Sequence, residues 1–200
     1  GHVYDRNPRR SESNLMIDAA EIADLRTAAG DYEETEQLKA RLASIRDRRQ
    51  PFHLTAEELD EIVRWKLGSQ YKRSAHCRES LTDQVVKQVT LAAFAIHHPV
   101  QDCETALKFR LLRVLPGIGP GVASAVLALV HPEEYGVVDF RSWRALFGEE
   151  RNSFTAGHYN TYLAGIRVLA EVLEWAPQEV DLALWEYDRR RSSGAGASGG

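Results

Sequence analysis

Leu115-Pro116-Gly117-Ile118-Gly119-Pro120-Gly121-Val122-Ala123 lies just past the middle of a 200-residue chain. Its prolines and glycines stop one helix and start another. Gly117 and Gly119 are free to take positive φ, which residues with a Cβ avoid. Both also let main-chain N–H groups come close to an anion. Those amides open an apolar helix, Val122 to Val130, whose dipole favours negative charge. Ile118 is expected to tuck into the hairpin's own core. The stretch reads as a tight, uncharged phosphate clamp between two helices, contributed by Pro116, Gly117, Ile118, Gly119 and Gly121.

On either side the chain is patterned for helices. Residues 102–115 form one, carrying Lys108, Arg110 and Arg113 as a basic patch beside the hairpin. Residues 80–98 form another, with Leu81, Val85, Val89 and Phe94 as its apolar positions. Thr55-Ala56-Glu57-Glu58 fits a capping box for a helix that ends at Leu67, before Gly68. Beyond the hairpin, His131-Pro132 breaks the apolar helix. Gly136-Val137-Val138 is short and extended, and Asp139 opens a helix over 140–147. Residues 158–173 and 177–190 are the last two helices. Residues 14–30 and 31–50 read as two helices with thin apolar faces, better suited to packing on a larger body than to folding alone.

No alternating pattern lasts beyond four residues, so an all-α fold is expected. The chain divides into a disordered tail (1–13), an N-terminal helical extension (14–50), a main helical domain (51–190) and a flexible Ser/Gly/Ala tail (191–200).

Composition narrows the function. The formal net charge is −4, so any nucleic-acid footprint must be a local patch. Cys77 and Cys103 are too few for a disulfide framework or a four-thiolate iron–sulfur cluster. Two reduced thiols and no apolar leader in Gly1-His2-Val3-Tyr4-Asp5-Arg6 point to the cytoplasm. No run is long and apolar enough for a membrane span. His97 and His98 point apart on a helix and lack a third ligand, so no metal site is expected.

The window from Leu115 to Arg144 resembles the superfamily of DNA base-excision glycosylases that carry a helix-hairpin-helix, a Gly/Pro-rich loop and an aspartate, endonuclease III among them. The superfamily reads roughly Leu-Pro-Gly-Val-Gly-x-x-Thr-Ala, an aliphatic helix, then Val-Asp-x-x-x-x-Arg. Here Leu115 to Ala123 is followed by Val138-Asp139 and Arg144, without a gap in the spacing. The resemblance implies a compact helical glycosylase domain, and with two cysteines the iron–sulfur cluster of endonuclease III is not expected in it. It leaves room for a monovalent cation held by hairpin carbonyls. Asp139 would be the catalytic carboxylate, stabilising the sugar cation or activating water as the N-glycosidic bond breaks. As first residue of its helix, Asp139 also suits an N-cap.

Bifunctional members of the superfamily place a nucleophilic lysine two residues after the second hairpin glycine. That position is Gly121 here, so a monofunctional enzyme using water is expected, with Lys66 as a remote source of an amine. Leu67-Gly68-Ser69-Gln70 resembles a Leu-Ser-x-Gln segment that wedges into the base stack. Gln70 would then be the wedge, with Lys72 and Arg73 on phosphates. Trp65, Lys66, Arg141 and Glu186 are the residues expected around the base. Poorly characterised bacterial proteins with the same hairpin also carry a Trp-Lys near the start of the domain and a Leu-Trp near its end. The expectation is a monofunctional DNA glycosylase acting on duplex DNA with a flipped base. The alternatives are a non-catalytic helix-hairpin-helix module and an interaction protein in repair or phage defence.

Overall fold

The computed structural model describes residues 15–195, and within them every regular element is helical. The elements are α1 (Ala19–Ile22), α2 (Tyr32–Arg48), α3 (Ala56–Leu67), α4 (Asp83–Ala95), α5 (Gln101–Leu112), α6 (Pro120–Val130), α7 (Phe140–Phe147), α8 (Ala156–Leu173) and α9 (Pro177–Ala195). Short 3₁₀ segments cover Arg26–Ala28 and Gly68–Arg78. None of the described helices is long and apolar enough to cross a membrane.

α6 is the central element. Every residue from Val122 to Val130 is buried, as befits a helix apolar on all sides. α2, α3 and α5 pack directly on it, while α7, α8 and α9 form the other half of the body. One hydrophobic cluster runs through both halves and includes Ile17, Ile22, Leu42 and Ile45. The expected N-terminal extension therefore contributes to the main core. Arg46 Nη1 donates to the Val130 carbonyl at the end of α6 (2.5 Å), which fastens α2 there.

Several expected boundaries move. The helix foreseen over 14–30 reduces to α1 and a 3₁₀ turn. Asp18 and Glu21 form a capping box that starts α1 late, and the Met16 amide bonds instead to the Leu146 carbonyl (2.9 Å). The tail foreseen from 191 is helical to Ala195. Contacts between successive turns explain this: Arg189 and Arg190 reach back to Glu186, Arg191 to the Tyr187 hydroxyl, and Ser193 to the Arg189 carbonyl. The tail foreseen over 1–13 lies outside the described residues. The Thr55–Glu58 capping box is present as expected.

The segment from Gly136 to Asp139 passes between the two halves, held by buried side chains on three helices. Tyr159 of α8 donates its hydroxyl to the Gly136 carbonyl (3.0 Å). The Val137 amide donates to Asp181 Oδ2 of α9 (2.7 Å), and the Val138 amide to Ser124 Oγ of α6 (3.1 Å). A Cβ on Gly136 would come within 2.4 Å of Ile166 Cδ1 and 3.1 Å of Asp181 Oδ2. The missing side chain is thus what lets this segment lie close to α8 and α9. Gly136→Ala is expected to destabilise the protein by about 1–3 kcal/mol, the usual cost of overpacking a filled core. Chemical denaturation checks this; an unchanged midpoint would contradict it.

Candidate active site

Asp139 ends that extended segment and caps α7, and its two carboxylate oxygens have separate tasks. Oδ1 accepts the amides of Arg141 (3.0 Å) and Ser142 (2.9 Å), completing the cap. Oδ2 accepts a hydrogen bond from Lys66 Nζ of α3 at 2.8 Å. Both side chains are largely buried, with 16% of Asp139 and 14% of Lys66 exposed. Burial alone would raise the Asp139 carboxyl. The Lys66 ammonium and the cap bonds outweigh it and hold the group below its ordinary value.

Lys66 reaches Asp139 across the place where a side chain on Gly121 would start. A Cβ on Gly121 would lie 3.1 Å from Lys66 Cε. α3 thus lays the Lys66 side chain against the bare Cα of Gly121 on α6.

A cavity of about 260 Å³ opens beside this pair. Trp65 and Trp185 contribute to its walls, with Lys66, Asp139, Ser142 and Asp181 among its polar residues. Trp65 is oriented by α2: its indole N–H donates to Thr35 Oγ1 (2.9 Å), and that hydroxyl donates to the Asp31 carbonyl (2.7 Å). The N-terminal helices thus support one wall of the cavity. A wider outer recess of about 590 Å³ shares Asp31, Trp65, Gly68 and Trp185 with it. On its other side Asp139 borders a recess of about 200 Å³ lined by Pro120, Gly121, Phe140 and Phe154. Asp139 therefore stands between an aromatic-walled cavity and the start of the hairpin helix.

The hairpin has the expected form in part. Gly117 takes φ +74°, and a Cβ there would collide with Arg78 Cγ at 2.7 Å. Ile118 is buried. Gly119 differs from expectation: its φ is −82°, which any residue adopts, and it serves as the N-cap of α6. No side chain caps that end, and the Gly121 and Val122 amides follow Pro120, which has none. Gln70, Lys72 and Arg73 are exposed on the 3₁₀ segment whose Cys77 and Arg78 abut Gly117. Gln70 and Arg73 bond to each other (2.8 Å). Pro116 and Gly117 are exposed beside them.

Other expected residues fall elsewhere. Lys108 does not belong to an exposed basic patch, because it is buried and paired with Glu104 one turn back (2.6 Å). Glu186 does not line the cavity. It is covered by Arg189 and Arg190, both at 2.7 Å. Its neighbour Trp185 supplies the wall. Arg141 lies over the Trp185 ring (5.7 Å) and pairs with Asp188 (3.1 Å), which also holds Arg144 by two bonds of 2.7 Å. The grouping of His131, Glu133 and Glu134 is the one metal-like cluster among the described residues. The Arg46 guanidinium already stands against its His131 and Glu133.

Asp181 had no sequence signal of its own. It is 5% exposed, and burial pushes its carboxyl well above the ordinary 3.8. The Asp139 charge adds to the rise; the Val137 amide, Lys66 and Lys39 oppose it.

No protein-family model matches this chain, and neither a curated protein nor a solved structure does.

The raised Asp181 value has a consequence for stability. The folded chain keeps this proton at pH values where the unfolded chain has lost it. Stability is therefore lost as pH rises from about 4 through the folded value, and the loss is absent below the unfolded value. Asp181→Asn is expected to melt higher than wild type at pH 8, with the difference closing toward pH 4. Thermal denaturation across that range checks this; equal melting temperatures throughout would contradict it.

Proposed function

We propose that this protein is a DNA N-glycosylase that removes a damaged or modified base from an everted nucleotide. The observation that carries the reading is the Lys66–Asp139 pair between the aromatic-walled cavity and the hairpin helix. A base in the cavity would lie between Trp65 and Trp185. Its sugar would then lie at Asp139, and the adjoining phosphate would face the uncapped amides of α6. Gln70, Lys72 and Arg73 extend that surface. Amide contacts also fit the acidic balance of the chain, because they bind phosphate without adding charge. Asp139 Oδ2 stabilises the positive charge that develops on the sugar as the C–N bond lengthens.

The same contact brings Lys66 within reach of the sugar as a nucleophile in place of water. The Lys66 ammonium gives a proton to the departing base, leaving a free electron pair on Nζ while Asp139 stays ionised beside the sugar. Nζ then bonds to C1′ as the bond from C1′ to the base breaks. The base leaves with that bonding pair and the proton from Lys66. Opening of the sugar ring leaves an imine between the lysine and the sugar. Water as nucleophile, with Asp139 as its base, is the simpler alternative and follows from Gly121.

A non-catalytic helix-hairpin-helix module would use Asp139 as a cap alone. Oδ1 already meets that need, and the contact of Oδ2 with Lys66 is left over. An interaction protein in repair or phage defence would need free apolar faces on the N-terminal helices. Ile17, Ile22, Leu42 and Ile45 are used in the core instead. The reading places the enzyme in the cytoplasm on duplex DNA, with no iron–sulfur cluster. Any monovalent cation at the hairpin would be held by the carbonyls of Pro116 and Gly117. The Leu115 and Gly119 carbonyls already accept main-chain amides.

The test is base release from duplexes carrying a panel of lesions. Asparagine caps helices as well as aspartate, so Asp139→Asn keeps the fold while removing the charge. Its base release is expected to fall about 100-fold to 1,000-fold, with duplex affinity unchanged. A wild type that binds duplex but releases no base would make this a binding module. A wild type that does neither would remove the DNA reading.

A further inference from the structure

Asp181 is the one acidic side chain of the cavity whose carboxyl is almost wholly buried and yet lacks a charged partner. It is fixed at one oxygen: Oδ2 accepts the Val137 amide at 2.7 Å. Oδ1 has no hydrogen-bond partner among the described residues and opens on the cavity. Trp185 lies one helical turn further along α9 and faces the same space. Asp188 follows on that side of α9 and ties it to α7 through Arg144. α9 thus presents an aromatic surface and a carboxyl together, on a helix held rigidly against the segment that carries Asp139.

We propose that Asp181 reads the everted base, its Oδ1 donating to a hydrogen-bond acceptor on the base edge. This rests on the glycosylase reading and narrows its substrate to bases with a carbonyl or an unprotonated ring nitrogen on that edge. Burial between the packed helices favours the protonated form of this carboxyl. With Oδ2 accepting the Val137 amide, the proton of a neutral carboxyl lies on Oδ1 and donates into the cavity, whereas a carboxylate only accepts. The floor of the cavity therefore rewards an acceptor on the base. A base with two donors on that edge would leave the hydroxyl unpaired in a buried place, which is costly. The charged groups around Asp181 are Asp139 on α7, Lys66 on α3 and Lys39 on α2, with the Tyr159 and Tyr162 hydroxyls on α8. Lys66 is engaged by Asp139, and Lys39 by Glu36 and Gln178. Neither donates to Asp181.

Three proteins and two duplexes separate this role from a structural one. The proteins are wild type, Asp181→Asn and Asp181→Leu. One duplex carries the base that wild type releases fastest among uracil, hypoxanthine and an 8-oxopurine. The other carries a tetrahydrofuran abasic site, which has no base to read. Asp181→Leu is expected to lose more than about 100-fold in base release, as sites built to hydrogen-bond a group do when the bond is removed. Its affinity for the abasic duplex should fall by much less than its base release, because only the lost Val137 contact touches both. Asparagine also keeps a group that donates and one that accepts. Asp181→Asn should therefore retain base release within about tenfold. Its rate should also depend less on rising pH than that of wild type, which declines as Asp181 loses its proton. Equal loss of base release and abasic affinity in Asp181→Leu would overturn the proposal in favour of a purely structural carboxyl. So would undiminished base release by that variant, or an inactive Asp181→Asn that still binds abasic duplex. A wild type that releases no base ends the glycosylase reading and this one with it.

Discussion

Three buried hydrogen bonds to the Gly136–Asp139 segment are the constraint on which the site depends. They come from Tyr159, Asp181 and Ser124 on three different helices. An extended segment inside a helical protein has main-chain groups that no helix satisfies, and each one left unpaired there would be costly. The helices meet that need with side chains, and in doing so they set the direction in which the chain emerges at Asp139. The α7 cap then fixes one carboxylate oxygen and leaves the other facing Lys66. A core requirement and a chemical arrangement are thus met by the same atoms. The clearest case is Asp181, whose Oδ2 supports the segment while Oδ1 opens on the cavity.

The relation of Lys66 to Gly121 follows from the same packing. α3 and α6 pack directly on each other, and the absent side chain on Gly121 makes room for the end of Lys66. A lysine on α3 and a glycine on α6 are therefore one feature in space, although 55 positions separate them in sequence. The N-terminal helices take part less directly. By receiving the Trp65 indole N–H through Thr35, α2 holds an aromatic wall in place. Asp31, where α2 begins, belongs to that wall as well.

What could be read from the sequence was local. The Thr55–Glu58 capping box, the all-apolar run of α6, the positive φ of Gly117 and the cap at Asp139 depend on neighbours within a few residues. Pattern alone therefore finds them. The cavity is assembled from α3, α7, α9 and the start of α2, so its composition was not legible. Trp65 and Lys66 were identified by their place near a helix end, but the distance of Lys66 from Asp139 spans 73 residues. Asp181 looks like any polar position on a helix until Val137 is brought against it. Two errors did have local remedies. Glu104 and Lys108 are spaced to pair on one helix face, which would have withdrawn Lys108 from the basic patch. Asp181, Trp185 and Asp188 share a helical face that Glu186 does not. Choosing Glu186 over Trp185 for the cavity was an error of one residue, about a quarter of a helical turn.

The central claim is that Lys66 Nζ stands within bonding reach of C1′ of an everted nucleotide. Borohydride reduction during incubation with a lesion-bearing duplex tests it most directly, because it freezes an imine as a stable protein–DNA adduct. Peptide mapping of that adduct then locates the attachment. The account predicts a trapped complex attached at Lys66 and absent from Lys66→Ala. Base release by the wild type with no trapped complex, or a complex attached elsewhere, would contradict it.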